Sequence, residues 1–224
     1  MNAPEVPVAV VTGANRGIGR AITVALAAAG FTVAASARDP ASLDGTVAEA
    51  ARAGGTAVPV ACDVCDEASV AALAGRAGQL GPVAAVVANA GIAGPTAPLH
   101  EITLAEWRET IATDLDGVFL TFRAFIPAMI ERRDGSLIAI SSITGKRPLY
   151  GRTPYAAAKM GVIGSSVRRT PSGASASLTA ALMAAGAIIL PPSPPPLMPC
   201  GVYGDGVSTW PMVSSGTSIA VGIR

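Results

Sequence analysis

A single histidine, three cysteines, a formal net charge of +1 and no apolar run long enough for a bilayer set the first limits on this 224-residue chain. Charge so close to neutral excludes a protein held on nucleic acid by phosphate neutralisation. With 50% apolar residues, the chain also lacks the composition of a disordered polymer. Its longest apolar run, Leu178 to Leu190, falls short of the roughly 18 to 20 residues that span a bilayer, so no membrane segment is expected. Cys62 and Cys65 stand in a CDVC spacing that suggests a redox pair or half a zinc site. Only Cys200 adds a thiolate and only His100 an imidazole, whereas a structural zinc normally takes four N or S ligands. No metal site is expected; the thiols read as small apolar side chains and His100 as a loop or helix-start residue. No basic leader precedes the apolar run at Val6 to Val11, so a cytoplasmic protein is expected.

Against these shortages stands a regular alternation. VPVAVVT, FTVAAS, TAVPVA, VAAVVAN and SLIAISS are short runs rich in Val, Ile and Ala, separated by helical patterns of ten or more residues. Continuous apolar strands of this kind indicate a parallel sheet covered on both faces, each strand reached by a right-handed crossover. The expected fold is α/β, a doubly wound parallel sheet of the Rossmann kind, in a single domain with an irregular C-terminal segment.

The first crossover carries chemistry. VAVVTGANRGIGRAI runs strand, glycine-rich turn, helix. Gly13, Gly17 and Gly19 let the backbone turn tightly and approach a ligand, and the helix that begins near Arg16 to Ile18 aims free N–H groups and a positive dipole end at it. A dinucleotide pyrophosphate is the natural ligand for this turn, Asn15 included. The second strand ends Ala37, Arg38. An acidic residue there would favour the free 2′-hydroxyl of NAD, whereas an arginine favours the 2′-phosphate of NADP. Arg16 adds a second cation for the same phosphate. Asp39 is read as the start of the next turn with Pro40. NADP is therefore expected ahead of NAD.

TGANRGIG, ANAG, the serine of AISSITG and YAAAK, in this order and spacing across residues 6 to 164, together resemble the classical short-chain dehydrogenase/reductase family, in particular its 3-oxoacyl reductases. The resemblance implies a hydride transfer between nicotinamide and a small-molecule ketone or secondary alcohol. It implies Ser142, thirteen residues before Tyr155, as the group that holds the carbonyl oxygen, with Ser141 the alternative. Tyr155 becomes the proton donor. A phenol has an ordinary pKa near 10, so it needs a cation to favour its phenolate, and Lys159, one helical turn on, supplies it. Lys159 and Tyr155 would also meet the nicotinamide ribose. Asp63 resembles the residue that meets the adenine amino group, with Val64 beside it, and Asn89, Ala90 and Gly91 resemble the turn next to the adenosine ribose. Neither nucleic acid nor membrane is implied as a partner, and an intact family member would form a homo-oligomer.

Two departures accompany the resemblance. Ala88 stands where the family usually writes an asparagine. Asp114, in TDLDG, stands where the family usually has an asparagine that positions a water for proton relay to the lysine. An ionised carboxylate there would offset the charge on Lys159 and slow or pH-shift catalysis.

After Gly164 the composition changes: residues 165 to 224 hold 8 of the 18 prolines, 10 serines and one acidic residue, Asp205. LPPSPPPLMP reads as extended and polyproline-like. The expected division is a core at 1–164 and an atypical segment at 165–224, with Leu178 to Leu190 docking on the sheet and the remainder mobile. Gly173 to Ser177 can be encoded GGC GCA TCC GCG TCN, and without its first two bases that string reads Arg-Ile-Arg-Val, which resembles the family's sixth strand. A frameshift is the expectation drawn from this. The alternative readings of the whole are a catalytically impaired nucleotide-binding or regulatory protein, or a truncated product without function.

Overall fold

A computed structural model describes residues 5–165 and the backbone of two short strands at 188–189 and 218–223. Cys200, Asp205, the proline-rich stretch, the shifted-frame codons and most of the Leu178 to Leu190 run lie outside the described residues.

All five expected strands form: β1 Val8–Thr12, β2 Thr32–Ala37, β3 Thr56–Ala61, β4 Val83–Ala88 and β5 Ser136–Ser142. They pair in parallel in the order β3-β2-β1-β4-β5, and the order of strand addition reverses between β1 and β4, which defines a doubly wound sheet. Side chains alternate between two cores. Ala9, Val11, Val33 and Ala35 pack with Ile22 and Leu26 of α1 (Gly17–Ala28) and Ala50 of α2 (Asp44–Arg52). Val8, Val10 and Val86 face the other way. They meet Leu73 of α3 (Glu67–Leu80), Phe122 and Phe125 of α5 (Gly117–Arg132), and Val162 of α6 (Thr153–Gly164). Full burial of each such aliphatic side chain contributes about 1.5 to 3 kcal/mol, so both faces of β1 are stabilised by helix cover.

Local chemistry fixes the helix starts. Asp66 caps α3 by accepting from the Ala68 amide, and Thr103 with Glu106 forms a reciprocal capping box at α4, Leu104–Ile111. A π-helical turn, Ala112–Asp116, joins α4 to α5. The outer edge of β3 carries Pro59, which lacks an N–H and suits a strand paired on one side only.

The other side of the sheet differs from the sequence expectation. Ser218–Ile223 forms β7, antiparallel to β5, with Ser142 opposite Ser218 and Leu137 opposite Ile223; the two-residue β6, Ile188–Ile189, runs parallel to β7. The tail was expected to be mobile outside Leu178 to Leu190, yet it supplies a strand at 218–223 that pairs with β5 on one side and β6 on the other. SIAVGI has the β-branched residues of a strand, a signal hidden behind the prolines that precede it. Without a partner β5 would present an unpaired row of N–H and C=O groups.

Candidate active site

The glycine turn follows β1 and leads directly into α1. Gly13 and Gly17 have φ of 64° and 53°, in the left-handed region open to glycine. A Cβ on Gly19 would lie 2.2 Å from the Gly13 carbonyl oxygen, so Gly19 exists to let α1 pack on the turn. Gly17 is different: a Cβ there would meet nothing within 4 Å, which leaves its backbone face open to a ligand. No side chain caps α1, and no acidic residue lies in its first turn. Its first N–H groups and positive dipole end are therefore available to an anion. Exposed Arg16 and Arg38 flank this end with no carboxylate within salt-bridge range among the described residues. Asp39 spends a carboxylate oxygen on the Ala41 amide as the cap of a 3-10 turn, as its reading with Pro40 expected. An anionic dinucleotide with a 2′-phosphate fits this donor set.

Residues that the sequence reading missed hold the turn in place. Arg20 donates through Nη2 to the Asn15 carbonyl at 2.7 Å, through Nε to Thr46, and pairs with Glu49 at 3.3 Å; Thr46 donates to the Ala14 carbonyl at 2.9 Å. Thr12 accepts from the amides of Asn89 and Ala90 through Oγ1, and the Asn89 amide nitrogen donates to the carbonyls of Thr12 and Gly13. Asn89 thus spends its side chain fastening β4 to the glycine turn. At the far end, Asp63 accepts from the Cys65 amide, leaving one carboxylate oxygen for a ligand. Val64 is buried against Gly117 of α5, so its side chain serves the core. Cys62 is buried, which pushes its thiol up to about 11, and Cys65 is exposed beside Thr113. Among the described residues no three His, Cys, Asp or Glu side chains cluster as metal ligands. His100 is exposed in a short 3-10 turn, Leu99–Glu101.

A cleft of about 240 Å³ opens at the C-terminal ends of the strands, with Ile18, Asn89, Asp114, Arg152, Tyr155 and Lys159 among its walls. A larger cavity, about 380 Å³, lies toward the opposite end of β4 against Val83, Phe125 and Met129, away from these groups. Tyr155 and Lys159 share one face of α6, and the Lys159 ammonium lies 5.6 Å from the Tyr155 ring centroid. The Lys159 Nζ donates to the Ile140 carbonyl at 3.3 Å and sits 3.1 Å from Asp114 Oδ2. Oδ2 has no aligned hydrogen-bond donor, so this contact is ionic; Oδ1 accepts from the Ile92 amide at 2.7 Å. Asp114 has no exposure, and burial pushes its carboxyl above the usual carboxylate range against the opposing pull of Lys159 and the Ile92 amide. The π-turn carries it here, and Gly91 stands opposite because a Cβ would come within 3.2 Å of both carboxylate oxygens.

The two serines separate by their partners. Ser141 is buried and donates to the Lys159 carbonyl at 2.9 Å, which locks β5 to α6. Ser142, half-buried at the strand end, accepts from the Thr144 amide and so keeps its O–H proton for another acceptor. Arg152, also missed in the sequence, stands at the N-cap position of α6 without a side-chain capping bond; its guanidinium lies 5.2 Å from the Tyr155 ring and donates to Thr96 at 3.0 Å. Its position three residues before Tyr155 was the only available signal.

A parallel sheet with its glycine turn at β1, and a cleft at the strand ends where the order reverses, defines a Rossmann-like nucleotide-binding protein. The short chain dehydrogenase family profile matches residues 7–187, and the chain belongs to that family. The match continues beyond Gly164, where the motif resemblance stopped. A 3-oxoacyl-[acyl-carrier-protein] reductase of Synechocystis sp. is 36% identical over 73% of this chain and 67% of its own length. The Escherichia coli enzyme of that name is 36% identical over 82% of this chain and 74% of its own. Among solved structures, a metagenomic short-chain oxidoreductase in complex with NADP superposes with TM-score 0.68 at 42% identity, covering 71% of this chain and 73% of that one. A single-residue variant of actinorhodin polyketide ketoreductase with NADPH gives 0.70 at 34%, covering 74% and 64%. The chain spans about two thirds of the length of the first curated relatives it matches, 67% and 65% for the reductases of Synechocystis and Thermotoga maritima.

Proposed function

We propose that this protein is an NADP-dependent oxidoreductase that interconverts a small-molecule ketone and a secondary alcohol, with residues 1–164 carrying the cofactor and reacting groups and 165–224 forming a distinct segment. The observation that carries the reading is the meeting of Tyr155, Lys159 and Asp114 in one cleft continuous with the glycine turn. The relatives' names support it, since they describe reductases and complexes with NADP or NADPH. The α1 amides around Gly17 and Ile18 would hold the pyrophosphate, Arg16 and Arg38 the 2′-phosphate, Asp63 the adenine amino group, and Asn89, Ala90 and Gly91 would border the adenosine ribose. Bound reduced nicotinamide supplies hydride.

The chain's own residues supply the rest. Ser142 donates a hydrogen bond to the carbonyl oxygen, and Tyr155 gives that oxygen its phenolic proton as the carbon is reduced. The negative charge left on the phenolate faces the Lys159 ammonium. In alcohol oxidation the same proton returns to Tyr155. Asp114, when ionised, offsets part of the lysine's charge and slows the step. That pair is the one feature that favours the second reading, an impaired nucleotide-binding protein. The chain acts in the cytoplasm, in keeping with the lack of any helix among the described residues long and apolar enough to cross a membrane. Its family membership favours a homo-oligomer.

The test is NADPH-linked turnover on a panel of ketones with Tyr155→Phe as control. Loss of the proton donor should lower the rate about 10²- to 10⁴-fold and leave cofactor affinity within about twofold. Turnover that survives the change rejects the assignment; turnover absent from the unaltered protein, with NADPH still bound, selects the second reading.

A further inference from the structure

The charges around the cleft do not cancel. Lys159 is paired with Asp114 at 3.1 Å, and Asp114 is the one carboxylate among the described residues of the cleft wall. Arg152 stands on the same wall without a carboxylate within 4 Å among the described residues. It is held in place rather than loose. Its guanidinium donates through Nη1 to Thr96 at 3.0 Å and lies 5.2 Å from the Tyr155 ring, and the adjacent Gly151 carbonyl accepts from the Ala97 amide at 2.9 Å. These contacts stitch the loop after β4 to the start of α6. A guanidinium has five N–H donors in a fixed fork, and Thr96 takes one of them. The remainder form a positive, planar donor set next to the phenol that protonates the carbonyl.

Building on the oxidoreductase reading, we propose that Arg152 is a specificity-determining residue that holds a carboxylate of the substrate, so that the site takes a short-chain oxo acid in preference to a neutral ketone or ester. The carboxylate meets the guanidinium fork while the keto oxygen, a few bonds away, lies at Tyr155. Pairing of Lys159 within the protein leaves Arg152 as the charge that selects the anion. Planarity makes arginine suited to the task, since a carboxylate matches its fork through two parallel hydrogen bonds.

The experiment uses the full chain loaded with NADP⁺, in which a ketone binds without reacting. Affinities for acetoacetate and for its neutral methyl ester are measured by calorimetry or ligand-observed NMR at low and high salt. Acetoacetate should bind about tenfold tighter than the ester, with the preference weakening in salt. Arg152→Gln should bring the two within about twofold and leave NADP⁺ affinity unchanged, and Arg152→Lys should restore part of the preference because it keeps the charge without the fork. Equal binding of acid and ester by the unaltered protein, a preference that persists in Arg152→Gln, or a loss of NADP⁺ binding instead, each overturns the proposal. NADPH-linked turnover separates the two readings. Ester reduced as readily as acid leaves the oxidoreductase standing and removes this inference; arginine-dependent acid binding with no turnover does the reverse. If neither ligand binds the loaded protein, this inference falls and the ketone panel decides the oxidoreductase reading.

Discussion

The two halves of the cleft are built by different means. The half at β1, α1 and β2 is made of backbone: left-handed glycines, an uncapped helix start and carbonyls held by Asn89, Arg20 and Thr46. The half at β5 and α6 is made of charged side chains with little or no exposure, Lys159 and Asp114, held by contacts from β5, the π-turn and the loop after β4. A backbone site tolerates changes to its outward side chains but not to its packing. A site of buried charges fails when one charge loses its partner, because an uncompensated buried ion is left behind.

Two glycines break or sharpen the comparison most. Gly19→Ala places a methyl 2.2 Å from the Gly13 carbonyl and 2.5 Å from the Asn89 amide nitrogen, so α1 must shift. It should cost about 3 kcal/mol, roughly 6 to 12 °C in Tm for a domain of this size. Gly17→Ala meets open space and bears only the left-handed strain, about 1 kcal/mol, while its methyl occupies the ligand's approach. Thermal melts with NADPH titrations should therefore show Gly19→Ala losing melting temperature and Gly17→Ala losing affinity. Equal melting temperatures would show that packing does not distinguish the two.

A smaller effect is expected at Arg38. Arg38→Ala should weaken NADPH about tenfold, leave NADH nearly unchanged and reduce the salt dependence of NADPH binding. Tighter binding of NADH by the unaltered protein would remove the 2′-phosphate assignment altogether.

The smallest effect concerns pH and belongs to the buried-charge half. Folding raises the Asp114 carboxyl, so the folded state retains a proton that the unfolded state has already released. Stability from this group is complete below the unfolded value, about 4, and is lost as pH rises through the raised one. The Tm of the unaltered protein minus that of Asp114→Asn should accordingly fall as pH rises above about 4. A difference that grows with pH would mean that Lys159, not burial, governs the carboxyl.

Legibility in the sequence follows the same division. Five strands, the glycine turn and the Tyr155 to Lys159 spacing were readable because each is encoded locally, by apolar runs, by residues that permit positive φ, and by helical periodicity. Asp114 was readable only through the family's asparagine, and its approach to the Ile92 amide depends on a π-turn with no local signature. Arg20 and Arg152 were missed since each looks like an ordinary surface cation until partners 26 and 56 residues away come into place. Strand β7 was missed for the opposite reason: its local signal is clear, but the composition of the preceding stretch argued against order.

The fastening of the glycine turn by α2 has a kinetic consequence. Ala14 and Asn15 are held by Thr46 and by Arg20, which itself rests on Thr46 and Glu49, so this part of the turn depends on α2 being docked. Local opening of α2 would release those anchors without unfolding the sheet. Ligand binding at the turn must then oppose that opening, and the backbone amides of residues 46–50 become the place where exchange with solvent reports occupancy of a site they do not touch.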